Sequence, residues 1–237
     1  MSTLYPNALP SVTEQAQRLI DLGVHTLLDV GEDDLRAAAA GLEPLAVGPC
    51  LLVPSQIPCT YADLMALVEL DGKPGFVVED FTDASSFEVF DTAEPTPTQL
   101  PQGWYLLEDP RRGDEFSNAS PAEALQQIVA DRRIPLTMIE GIFWALQCPP
   151  TNDGPGLLER NHCFMTIGSR KRKKAGFDAR TPALWISNGT GRDTAANKNA
   201  AKLGWCWWNN RHTWLGIADA ARRTTAVSTP PPCQRRD

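Results

Sequence analysis

The chain is poor in the side chains that most often carry chemistry. Only three of its 237 residues are histidines. Its six cysteines (50, 59, 148, 163, 206 and 233) include no CxxC pair, which speaks for reduced thiols rather than a disulfide framework. Neither GxGxxG nor GxxxxGK[ST] is present, so the two common glycine loops for nucleotide phosphates are excluded. No apolar run approaches the roughly 20 residues of a membrane span. The first residues have neither the basic start nor the apolar stretch of a signal peptide. These absences predict a cytoplasmic protein away from the membrane. Basic residues are nearly missing from residues 1–110, which hold 18 acids against 3 cations, a net of −15. Residues 111–237 hold 11 acids against 19 cations, a net of +8, so the halves sum to −7. Such a split predicts that the acidic half docks on the basic one, the alternative being a basic surface for an anionic partner.

What is present is well punctuated. Ser11 with Glu14, Ser120 with Pro121 and Glu123, and Thr137 with Glu140 are helix-start signals. The first is followed by an Ala16, Leu19, Ile20 stripe and stopped by Gly23. A second helix is predicted over 32–40, with acids in its first turn and Gly41 as stop. Another is predicted over 60–70, closed by Asp71-Gly72. The helix after Thr137 should bury Ile139, Ile142, Phe143 and Leu146. Strands are predicted at 50–54, 75–81, 87–90 and 104–107, with a proline-rich loop over 94–101. Beyond Gly156 come short β-type runs at 163–167, 183–186, 203–208 and 212–217. They read as an antiparallel meander because the last link is too short for a parallel crossover.

The densest chemistry lies in Lys202-Leu-Gly-Trp-Cys-Trp-Trp-Asn-Asn-Arg-His-Thr-Trp-Leu-Gly216, which holds four of the seven tryptophans. Cys163, His162, Cys206 and His212 are zinc-type ligands, but their spacings are poor, and adjacent strand residues point to opposite faces. A two-residue turn at Asn209-Asn210 would pair His212 with Trp207 and Cys206 with Thr213. Cys163 or Cys206 could instead form a thiolate–imidazolium pair with His212, although both sit in apolar strand text where a thiol is usually inert. Asp114-Glu115 is expected to answer Arg111 and Arg112. The cations of Ser169-Arg-Lys-Arg-Lys-Lys174, set among tryptophans, suggest single-stranded nucleic acid; a solvated hairpin tip is the plainer reading. Gly189-Thr-Gly191-Arg192 is a glycine-containing loop without the strand-to-helix context of a phosphate site. Turn chemistry at Asn209-Asn210 should place Arg211 and His212 at a sheet rim, where two arginine forks and an imidazole can accept an anion.

Several words of the second half occur in a recognisable order: Arg112-Gly-Asp-Glu-Phe116, Ser120-Pro-Ala-Glu-Ala124, Asn161-His-Cys-Phe164, Pro182-Ala-Leu-Trp-Ile-Ser187, Lys202-Leu-Gly-Trp-Cys-Trp207 and Asn210-Arg-His-Thr-Trp-Leu-Gly216. With Gly72-Lys-Pro-Gly-Phe76 earlier on, the chain resembles an uncharacterised family of bacterial, mainly actinobacterial, proteins. The links 171–181 and 188–201 are longer and more basic than that family's pattern. The resemblance implies a bacterial cytoplasmic protein and transfers no activity or catalytic residue.

The expectation is therefore an α+β fold, with a helix-rich first half packed on an antiparallel β-meander in the second. Residues 1–223 should form one compact unit, or two subdomains 1–110 and 111–223, followed by a disordered tail over 224–237. Functionally, the sequence points to a binding or regulatory module with an anion-accepting cleft that includes Arg211, His212 and Arg170. The alternatives are a Cys/His-dependent transferase or hydrolase and a single-stranded nucleic-acid binder. No cofactor and no metal are expected, and the partner would be a small anion or another protein.

Overall fold

The computed structural model describes residues 9–78, 87–90, 97–150 and 156–226. Parts of the predicted strand over 75–81 and of the loop over 94–101, together with Cys233 and the rest of the predicted tail beyond 226, lie outside them. The protein is α+β, with most helical residues in the first half. Helix α1 (Val12–Asp21) opens on the expected capping box, Ser11 and Glu14 each accepting from the other's backbone N–H, and ends before Gly23, whose φ is +74°. After the single turn α2 (Val24–Leu27), α3 (Glu32–Leu42) starts on three acids and runs past Gly41. That glycine does not stop it. Helical glycine costs about 1 kcal/mol, less than the roughly 1.5–3 kcal/mol from burying a leucine, and Leu42 is buried one residue further on. The stop is the 3-10 turn Glu43–Leu45, with Pro44 inside it.

Strand β1 (Cys50–Pro54) is wholly buried. Its outer edge is sealed by Gln15 of α1, whose amide donates to the Cys50 carbonyl (2.7 Å) and accepts from Leu52 N–H (2.8 Å). Helix α4 (Tyr61–Met65) is shorter than predicted. The chain leaves the helix after Ala66, and a two-residue turn at Asp71-Gly72, both with positive φ, pairs Leu70 with Lys73. This bend delivers β2 (Phe76–Val77) to a distant sheet, and that pairing outweighs the helical pattern of 66–70. Strand β3 (Phe87–Val89) is followed by β4 (Trp104–Glu108), which pairs antiparallel with β1.

Helix α5 (Pro121–Ala130), β5 (Ile134–Pro135) and α6 (Met138–Gln147) come next. The capping boxes at Ser120 and Thr137 form as expected. Helix α6 is buried on nearly every side, wider than the predicted stripe, as befits a helix enclosed by the core. It packs between β1 on one side and the five-stranded sheet on the other. At Gly141 the sheet comes so close that a Cβ would lie 2.6 Å from Thr166 and 3.2 Å from Leu184 and Phe164.

The five-stranded sheet contains β6 (Cys163–Met165), β8 (Arg180–Ile186) and β9 (Ala201–Trp207), an antiparallel run as expected. Between the first two, β7 (Ser169–Lys171) turns aside to pair with β3. The final link departs from a hairpin. Strand β10 (Leu215–Ile217) does not return along β9 but adds parallel to β6, Leu215 opposite Cys163, so neither Trp207–His212 nor Cys206–Thr213 is a strand pair. A parallel neighbour is reached because residues 208–214 cross the sheet end instead of folding back. On the other edge β2 lies parallel to β9. Strand β11 (Asp219–Ala220) pairs with β5, and β12 (Arg222–Thr224) pairs with β4. Each half thus places a strand in the other's sheet.

Candidate functional site

Alternation along β9 divides its side chains. Leu203, Trp205 and Trp207 share one face, and Lys202, Gly204 and Cys206 share the other. Register puts Trp185 opposite Lys202, Ala183 opposite Gly204 and Thr181 opposite Cys206. Gly204 is needed there because the Trp185 indole leans across it, and a Cβ would stand 2.5 Å from Trp185 Cη2. Trp214, just before β10, meets Trp185 edge to face, with ring centroids 6.1 Å apart and planes at 74°. These two indoles, with Cys163, Ile186, Lys202 and Cys206, border an open cleft of about 500 Å³. Its walls are the segments 159–161 and 188–193. A smaller apolar cavity of about 150 Å³ lies between α1, residues 67–70 and the end of α6.

Most of the charge in the cleft is paired. Lys202 Nζ is bound to Asp193 and sits 4.6 Å from the Trp185 ring centroid, a cation–π distance. Asp193 is buried, and its other oxygen accepts from Ser187 Oγ at 2.9 Å. Glu159 accepts from Arg112 Nη1 at 3.0 Å. Arg112 is itself buried; it forks onto Asp114 and also donates to the carbonyls of Leu157 and His162, pinning the 157–162 wall to the turn before α5. Burial works against its charge, but Asp114 and Glu159 more than compensate and hold its pKa above the usual value. The expectation for Asp114 holds through Arg112, whereas Arg111 pairs with Asp109. Two exposed arginines of the lining make no ion pair with a carboxylate among the described residues. Arg160 donates to the neutral amide of Asn199, and Arg192 has no hydrogen bond or ion pair among the described residues. One residue beyond Asp193, Thr194 has φ +58° and ψ 156°, a region L residues rarely enter and one that stores strain.

The cysteines of the cleft are not nucleophiles by environment. Burial pushes the Cys163 thiol up to about 11 and the Cys206 thiol up to about 12, so both are protonated at neutral pH. Cys163 Sγ donates to the Glu159 carbonyl at 3.2 Å, and no imidazole hydrogen-bonds to either sulfur among the described residues. The half-exposed His162 ring lies 3.8 Å from Asp114. No group of three or more His, Cys, Asp or Glu side chains able to hold a metal occurs among the described residues.

None of the three residues expected at an anion cleft lines this one. Arg211 is exposed, ion-paired with Glu123 in the first turn of α5, and donates to the Asn118 carbonyl at 3.3 Å. His212 packs edge to face on Trp214, with centroids 5.7 Å apart. Its Nε2 is buried without a partner, and burial lowers its pKa. Arg170, on β7, is stacked 3.6 Å from the Trp208 ring centroid and 5.2 Å from that of Phe177. Burial brings its pKa down to about 10, so it remains charged at neutral pH. Two more cations of the basic run are engaged, Arg172 with Glu88 and Lys173 with Asp178. Sequence reasoning did not single out Trp185, Asp193 or Arg160, and it named Lys202 and Arg192 only within the Lys202–Gly216 stretch and the Gly189–Arg192 loop. The legible signal was the period-two face Lys202, Gly204, Cys206, where a glycine marks the close approach of a large neighbour.

An α+β protein with a tryptophan-floored surface cleft, and no helix among the described residues long and apolar enough to cross a membrane, is the class defined by fold and site. The family described as "Family of unknown function (DUF5701)" matches residues 18–226, and the chain belongs to that family. No curated protein and no solved structure matches it.

Proposed function

We propose that this protein is a small-molecule binding module whose ligand enters the Trp185–Trp214 cleft and is an anion. The observation that carries this reading is the charge balance of the lining. Asp193 is held by Lys202, and Glu159 by an Arg112 that it shares with Asp114, while Arg160 and Arg192 make no ion pair with a carboxylate among the described residues. A concave site of about 500 Å³ that sets two indoles among charged and polar side chains suits a small charged ligand. Buried, protonated thiols without a base weigh against cysteine chemistry in the same cleft. The basic run 170–174 is largely engaged with aromatic rings and acids, which weighs against a strand-binding surface there.

The test is a titration with phosphate and citrate while tryptophan fluorescence is followed. Wild type and Arg211→Ala should respond alike, and Arg192→Ala should respond at least fivefold more weakly. Equal responses from all three proteins, or none from any, would overturn the assignment of the cleft. A loss confined to Arg211→Ala would move the anion site to the Arg211 rim.

A further inference from the structure

The same cleft narrows its ligand further, on the reading that it binds a small anion at all. Two indoles at 74° border the cleft, with Lys202 Nζ over the Trp185 ring, so a flat ring entering the corner would meet the two indoles and the Lys202 stem together. Its unmatched charges are both guanidinium groups on the walls. A neutral sugar would stack on the indoles but would leave the charges of Arg160 and Arg192 unneutralised. An aliphatic anion would satisfy the arginines and leave the indoles in contact with water. We propose that the cleft takes a planar aromatic ring bearing an anionic group, the ring on the Trp185–Trp214 corner and the anion held by Arg192 and Arg160. A nucleoside monophosphate and an aromatic carboxylate share this chemistry. Stacking on one indole contributes on the order of tenfold or more in affinity, so ring and anion together should bind well above either alone.

The experiment is calorimetric titration of the full chain with adenosine 5′-monophosphate, adenosine, inorganic phosphate, indole-3-acetate and cellobiose. At least one aromatic anion should bind tenfold or more tightly than adenosine and than phosphate, and whichever is tighter identifies the source of the anion. Arg192→Ala, with an unchanged circular dichroism spectrum, should bring adenosine 5′-monophosphate to the level of adenosine. Phosphate binding as tightly as both aromatic anions would remove the ring from the proposal while leaving an anion site. Cellobiose binding more tightly than both would overturn it in favour of a sugar. No binding of any probe would take the small-molecule reading down with it.

Discussion

Glu140 shows what a single buried charge does in this protein. It is fully buried at the start of α6, where it accepts from the Thr137 backbone N–H (2.6 Å) and from Tyr105 Oη (2.9 Å). Arg223, from the last described strand, forks onto both of its oxygens. Burial by itself would raise its pKa, but the Arg223 guanidinium and these hydrogen bonds outweigh burial and hold the carboxyl below its ordinary range. Breaking one side of such a pair leaves an uncompensated charge in the core, at about 3–5 kcal/mol. Glu140→Gln should therefore lower the stability measured in urea by about 3 kcal/mol or more, and adding Arg223→Met should recover part of the loss. A change below about 1 kcal/mol for the single variant would mean that Arg223 finds another partner.

At the scale of elements, the turn between β7 and β8 depends on Asp178. Its carboxylate accepts from the Arg180 side chain and backbone and pairs with Lys173, while its own N–H donates to the Lys171 carbonyl. The hydrogen bond from Arg180 is the main reason its pKa is well below the usual aspartate value; burial opposes this, and Lys173 adds to it. A depressed folded-state pKa contributes stability that is present above the unfolded value of about 3.8 and is lost as pH falls through the folded value. Asp178→Asn should accordingly be less stable than wild type in urea at pH 7. The gap should begin to close below about pH 4. A gap that stays constant from pH 7 to pH 2 would show that Asp178 acts through shape rather than charge. The element ends were legible because their causes are local: the capping boxes at Ser11, Ser120 and Thr137 satisfy N–H groups within three residues. The early exit from α4 was not, because the reason for it is β9, about 130 residues further on.

For the whole molecule, the two halves are interlocked more by strands than by net charge. Strand β2 from the acidic half lies beside β9, and β12 from the basic half lies beside β4. Cross-half ion pairs exist, Glu88 with Arg172, Glu108 with Arg222 and Asp109 with Arg133. Many cations of the second half instead meet their own acids, as in Arg112–Asp114, Lys202–Asp193 and Arg211–Glu123. A fragment of residues 111–237 would present an unpaired edge of β9 and leave β12 without β4. It should show no cooperative urea transition by itself. A cooperative transition with native-like near-ultraviolet tryptophan signals would show that the second half folds independently.

The sequence by itself determined the α+β class, the helix starts, β1 and β4, and the antiparallel run of β6, β8 and β9, because caps and side-chain periodicity act over a few residues. It also marked the Lys202–Gly216 stretch as dense in chemistry. Only the tertiary structure decided which face of that stretch borders a cleft. It did so by sending 208–214 across the sheet end, which set Trp214 against Trp185 and turned Arg211 towards Glu123. It also withdrew Arg170 into an aromatic stack with Trp208 and Phe177, and it left Arg160 and Arg192 unmatched by assigning Glu159 and Asp193 to other partners. Charge counted along a chain cannot tell a free cation from a paired one, because pairing is settled by contacts between residues far apart in sequence.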